Sequence, residues 1–179
     1  NKGVWIEPIF ITKIEDKNGV IIEEFTPKTQ EAMSEETAAI MVRLLQGVVD
    51  GVYSPEAKTT RGTGVRLRYK YKFTNEMGGK TGTTQNQSDG WFIGITPNLV
   101  TGVWSGCEDR SVHFRDIYYG QGANMALPVF AEYLKRAYQD KDISEINPKM
   151  FNIPKYIDVK MDCGEQTQST EGMFFEEEF

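Results

Sequence analysis

The sequence predicts an α/β fold of the α+β kind, an antiparallel sheet flanked by helices. Three observations carry that prediction. An Asn-Gly turn sits between two runs rich in Ile, three short apolar runs follow one another across turn-forming residues, and apolar residues recur at helical spacing on either side of that group.

The elements follow in chain order. Ile9, Ile11 and Ile14, then Val20, Ile21, Ile22 and Phe25, flank Glu15-Asp16-Lys17-Asn18-Gly19 and predict a hairpin. Ser34 has the chemistry of a helix N-cap, and Glu35 and Glu36 suit the positive end of a helix dipole. Ile40, Leu44, Leu45, Val48 and Val49 then repeat at helical spacing until Gly51, which predicts an amphipathic, half-buried helix. Residues 54–78 are polar and basic, with Gly62-Thr63-Gly64 inside. Apolar runs at 80–84, 91–95 and 99–104 are separated by Asn86-Gln87-Ser88-Asp89-Gly90 and Thr96-Pro97-Asn98, the pattern of a three-stranded meander. After Gly120 and Gly122, Leu127 and Pro128 lead into Val129, Phe130, Tyr133, Leu134 and Tyr138, a closing helix with Pro128 near its first turn. From about Pro154 the periodicity fades. Residues 1–160 are therefore expected to form one unit and 161–179 an acidic, flexible tail.

Composition narrows the function. The 179 residues suit one domain or a large piece of one, and 12% aromatics give a core its bulk. A mean hydropathy of -0.46 with 26% charge describes a soluble body. The net charge of -6 is matched by Asp162, Glu165, Glu171, Glu176, Glu177 and Glu178, so the remainder is neutral and offers nucleic acid no counterion-releasing groove. Cys107 and Cys163 make neither a disulfide framework nor a metal-ligand spacing, and His113 is the sole histidine. No metal or cofactor is expected. No apolar run reaches transmembrane length and no signal peptide is seen; since Asn1 is no initiator, an N-terminal part is expected to be missing.

The most informative stretch is Gly78-Gly79-Lys80-Thr81-Gly82-Thr83-Thr84. A phosphate loop would need glycine where Thr74 stands and a helix afterwards, but a turn and a strand follow. Gly62-Thr63-Gly64 fails in the same way as a dinucleotide fingerprint, with Leu67 at the third glycine position. The plain alternative is an edge strand whose lysine discourages aggregation. The remaining reading is the Lys-Thr-Gly strand of penicillin-binding proteins and serine β-lactamases. There a strand beside a cleft pairs its backbone with an extended peptide, and Gly82 leaves that approach clear. Lys80 supplies charge, and Thr81 and Thr83 supply hydroxyls for a carboxylate. Simple alternation places Lys80 and Gly82 on one face of the strand and Thr81 and Thr83 on the other.

That stretch, followed by Ser88-Asp89-Gly90-Trp91-Phe92-Ile93-Gly94-Ile95-Thr96-Pro97-Asn98-Leu99-Val100-Thr101-Gly102-Val103-Trp104, resembles the signature of class A penicillin-binding proteins, in a form similar to those of Bacteroidetes-type bacteria. Gly62-Thr63-Gly64, the helix after Ser34 and the Gly120 to Tyr133 region also resemble the family, so the likeness runs over about residues 3–139. The resemblance implies part of the penicillin-recognising serine-transferase fold. It implies peptidoglycan DD-transpeptidation through a serine acyl-enzyme, with a glycosyltransferase domain in the full protein. Lys80 and Thr83 would then be catalytic, and Thr81, Gly82, Thr83 and Thr84 would bind substrate, with the Thr83 N–H facing the oxyanion. Stem peptides and β-lactams are the implied ligands. The implied location is the periplasmic face of the inner membrane, reached through an anchor outside this chain.

One departure matters. The family order is Ser-x-x-Lys, Ser-x-Asn, Lys-Thr-Gly, and neither earlier motif precedes Lys80: Ser34 is followed three residues on by Thr37, and Ser54 by Ala57. The nucleophile is expected on a missing N-terminal segment, which leaves this chain as one wall of a site and inactive alone. A DD-carboxypeptidase or β-lactamase fragment, or a non-catalytic wall-peptide module, are the alternatives; Ser-x-x-Lys upstream would separate enzyme from module. Glu23-Glu24, Glu35-Glu36 and Glu108-Asp109 read as solvated pairs rather than a glycosidase dyad, and Trp91 and Trp104 as sheet packing. Tyr69, Tyr71 and Phe73 among Arg66, Arg68, Lys70 and Lys72 read as a polar flank near a cleft mouth.

Overall fold

A computed structural model describes residues 1–54, 58–146 and 150–154; the acidic segment from Asp162, and Cys163 with it, lies outside them. β1 (Val4–Ile6), β2 (Lys13–Glu15), β3 (Ile21–Glu24) and β4 (Thr29–Glu31) form two antiparallel ribbons, β1 with β4 and β2 with β3. The β2–β3 ribbon is the hairpin expected at Asn18-Gly19. Gly19 takes φ +83°, which favours glycine, and the Asp16 carboxylate accepts from the Asn18 N–H at 2.7 Å and the Val20 N–H at 2.9 Å.

α1 (Glu35–Asp50) begins as expected, with Ser34 Oγ accepting from the Thr37 N–H at 3.2 Å, and ends at Gly51, whose φ of +79° breaks the helix. Its buried side carries Ala39, Gln46 and Val49, while Leu44 is exposed. The stripe is turned from the one the apolar spacing suggests because the helix backs closely onto Gly78. A side chain there would meet Leu45 backbone at 2.9 Å.

The basic stretch after α1 is more structured than its composition suggested. β5 (Val52–Ser54) pairs with β6 (Thr59–Arg61), and α2 (Arg66–Tyr69) follows. Leu67, Tyr71, Phe73 and Met77 are buried, so the aromatics are core residues rather than a polar flank, apart from exposed Tyr69. Arg68 donates to Asp50 and to the Phe73 and Asn75 carbonyls, holding this segment against the end of α1.

The meander is confirmed. β7 (Gly78–Thr83), β8 (Asp89–Ile95) and β9 (Val100–Gly106) pair antiparallel in that order, which leaves both β7 and β9 as edges among the described residues. α3 (Ile117–Gly120) and α4 (Gly122–Gln139) close the fold. Pro128 lies inside α4, not at its start: the helix begins at Gly122, and Pro128 has no N–H for the carbonyl four residues earlier. α4 crosses the face of β8 that carries Gly90, Phe92 and Gly94. Phe92 and Phe130 rings sit 5.0 Å apart, in a core that also takes in Val49, Leu67, Met77, Leu127 and Leu134.

Candidate active site

β7 positions the site. Among the described residues it pairs only with β8, Lys80 opposite Ile93, Thr81 opposite Phe92, Gly82 opposite Trp91 and Thr83 opposite Gly90. The period of two therefore holds as expected, with Lys80 and Gly82 on one face and both threonines on the α4 face. Lys80 is exposed, and its Nζ donates to the neighbouring Thr81 carbonyl at 2.8 Å. A side chain at Gly82 would come within 3.2 Å of Trp91 Cβ, so this glycine also relieves cross-strand crowding.

The two threonine hydroxyls have different partners. Thr81 Oγ1 donates to Thr63 Oγ1 at 3.2 Å. Thr83 Oγ1 accepts from the Gly122 N–H at 3.0 Å, and so caps α4, whose N-cap residue Gln121 makes no side-chain capping bond. Thr84 is held elsewhere. Its Oγ1 accepts from the Asp89 N–H at 3.1 Å and lies 2.9 Å from Ser88 Oγ, inside the β7–β8 connection, where Asn86 and Gln87 take left-handed φ of 58° and 53°.

Two residues near this strand escaped the sequence reading. Thr63 is one. Gly62 and Gly64 let its turn lie against the end of α1, since side chains there would stand 2.7 Å and 3.1 Å from the Val48 carbonyl, which instead accepts the Gly64 N–H at 2.9 Å. The Gly-Thr-Gly pattern was the available signal. Arg66 is the other: its guanidinium donates to the Ala123 carbonyl at 3.0 Å and to Asn124 Oδ1, tying α2 to the first turn of α4. Nothing in a run of basic residues distinguishes it from its neighbours. Together the strand, turn and helix start present hydroxyl and cationic donors beside an open strand edge, an arrangement that can hold an extended chain ending in a carboxylate.

The other candidates stay apart. The paired glutamates and Glu108-Asp109 are exposed, with the Asp109 carboxyl held below its ordinary value by the Ser111 N–H. His113 Nδ1 lies 2.9 Å from the Phe114 carbonyl, and Trp91 and Trp104 are cross-strand partners. Among the described residues no cluster of His, Cys, Asp or Glu could hold a metal, and no helix is long and apolar enough to cross a membrane.

Residues 1–104, ending within β9, match the family model of the penicillin binding protein transpeptidase domain. The chain belongs to that family. Among similar transpeptidase-family proteins, penicillin-binding protein 1A of Aquifex aeolicus (strain VF5) is 32% identical over 160 residues, 83% of this chain and 20% of its own length. Penicillin-binding protein 1A of Neisseria meningitidis serogroup B (strain ATCC BAA-335 / MC58) is 30% identical over 146 residues, 79% of this chain and 16% of its own. The crystal structure of penicillin-binding protein 1A from Haemophilus influenzae superposes with a TM-score of 0.67 at 24% identity, covering 87% of this chain and 26% of that one; at that identity it supports the fold. These names place the transpeptidase-family chain among class A penicillin-binding proteins, and it spans about a fifth of the length of the curated relatives it matches.

Proposed function

We propose that these residues form the Lys-Thr-Gly wall of a serine-type DD-transpeptidase that cross-links peptidoglycan stem peptides and is acylated by β-lactams. The observation that carries this reading is β7 itself, an open strand edge bearing Lys80, Thr81 and Thr83 in a chain of the transpeptidase family. A stem peptide pairs along that edge as an added strand. Thr81 and Thr83 hold its terminal carboxylate, with Thr84 fixing the end of the strand. Lys80 supplies charge and supports proton transfer, and the Thr83 N–H donates to the oxyanion as the serine attacks the penultimate carbonyl. The terminal D-alanine leaves, and an amine of a neighbouring strand resolves the acyl-enzyme.

The serine and its lysine belong to a segment N-terminal to this one, so the chain is the C-terminal part of the domain. The full protein is anchored to work at the periplasmic face of the inner membrane. Residues 1–160 form the domain portion, followed by the acidic segment 161–179.

Labelled penicillin and intact mass test the reading. The chain alone takes no covalent label, and the chain joined to a segment bearing Ser-x-x-Lys takes one. In that joined form Lys80→Ala lowers the acylation rate by about one to two decades, the loss of one charge-assisted contact, with little change in melting temperature because Lys80 is an exposed side chain. A stoichiometric adduct on the chain alone, or unchanged acylation in Lys80→Ala, refutes the assignment.

A further inference from the structure

Thr63 stands outside the Lys-Thr-Gly strand, yet its hydroxyl is the partner of Thr81 Oγ1 at 3.2 Å. The turn that carries it is fixed on three sides. Gly64 N–H is bonded to the Val48 carbonyl at the end of α1, the Gly62 carbonyl accepts from the Val65 N–H, and Arg66 is bonded to the first turn of α4. Thr63 itself is exposed. The surrounding glycines are explained by close backbone approach, but that approach asks nothing of the side chain between them.

We propose that Thr63 is a positioning residue for carboxylate recognition, acting through Thr81. This rests on the reading of Thr81 as a carboxylate-binding group. A hydroxyl carries one proton and two lone pairs. Without an anion the Thr81 proton is directed at Thr63. To hold a carboxylate, Thr81 must turn that proton to the ligand, and its oxygen then needs a donor behind it. Thr63 supplies that donor by rotating its own proton, so the pair reverses as Thr63 to Thr81 to carboxylate. Each bond in such a chain polarises the next. Without the Thr63 hydroxyl, Thr81 can still donate, but its oxygen has lost the protein hydroxyl that would stand behind it.

The test compares acylation of the nucleophile-bearing form of the protein by a penicillin and by the methyl ester of the same penicillin, which has no carboxylate. Thr63→Val is expected to slow acylation by the free acid about three- to tenfold, the order of one neutral hydrogen bond. Reaction with the ester is expected to be unchanged, and Thr63→Ser to restore the wild-type ratio. Equal slowing of acid and ester would mean that Thr63 only supports the strand, and overturns the proposal. No slowing of either, with Thr81→Val still selective against the acid, overturns it while leaving the role of Thr81 intact. If Thr81→Val is not selective, the carboxylate reading of Thr81 fails and this proposal fails with it. Thr63→Ala repeats the comparison without a branched side chain, should the valine disturb the turn.

Discussion

Gly94 has the Phe130 ring where a side chain would be. A Cβ built there falls 2.3 Å from the ring, and Phe130 is 1% exposed within the core beside Phe92. The glycine is therefore a packing requirement of α4 on β8, not a flexible point in the strand. Gly94→Ala is expected to lower stability by about 1–3 kcal/mol through overpacking. In urea it should appear as a lower midpoint at unchanged slope, partly recovered by Phe130→Leu. An unchanged midpoint would mean that the ring moves aside freely. At this scale the sequence was legible where one residue decides a local geometry. Ser34 as a cap, Gly19 in a left-handed turn and Gly51 at a helix end are all such positions. It was not legible where the partner is remote in sequence: Thr63 meets Thr81, and Thr83 meets Gly122, across intervals no local pattern encodes.

Helices and strands were read from periodicity, which reports the apolar side of an element but not the neighbour it meets. α1 shows the difference. Its stretch of sequence is clearly helical, yet the buried side includes Gln46 and omits Leu44, because the helix backs closely onto Gly78 at Leu45 and Gln46. The start of α4 was misplaced for a related reason. Proline favours a first turn, but the helix starts at Gly122, whose N–H meets Thr83 of another element, and α4 admits Pro128 in its interior. Thr83→Val is accordingly expected to destabilise α4 by about 1 kcal/mol, the usual loss on removing a cap. Thr83→Ser keeps the bond and is expected to be neutral. Hydrogen exchange at Gly122, Ala123 and Asn124 separates the outcomes: faster exchange in the valine form alone is expected, and equal protection in all three forms would show that the helix start holds itself.

At the scale of the molecule, two features coincide. β7 and β9 each leave a row of backbone donors and acceptors unpaired among the described residues, and one face of the meander exposes Trp91, Ile93, Val100 and Trp104. Open edges pair with other chains, and apolar patches associate. Alone in solution, the chain is expected to self-associate with rising concentration in sedimentation, and to become monomeric when a nucleophile-bearing segment is supplied. A monomer at every concentration, indifferent to that segment, would show a self-contained fold. The same long-range joins also bear on synthesis. Thr83 is made well before Gly122, so a nascent chain halted after β9 already carries the whole Lys-Thr-Gly strand while one of its hydroxyls has no N–H to hold it. That hydroxyl gains its partner only when the closing helix emerges, so a prematurely ended product would hold the Lys-Thr-Gly residues without the bond that ties their strand to α4.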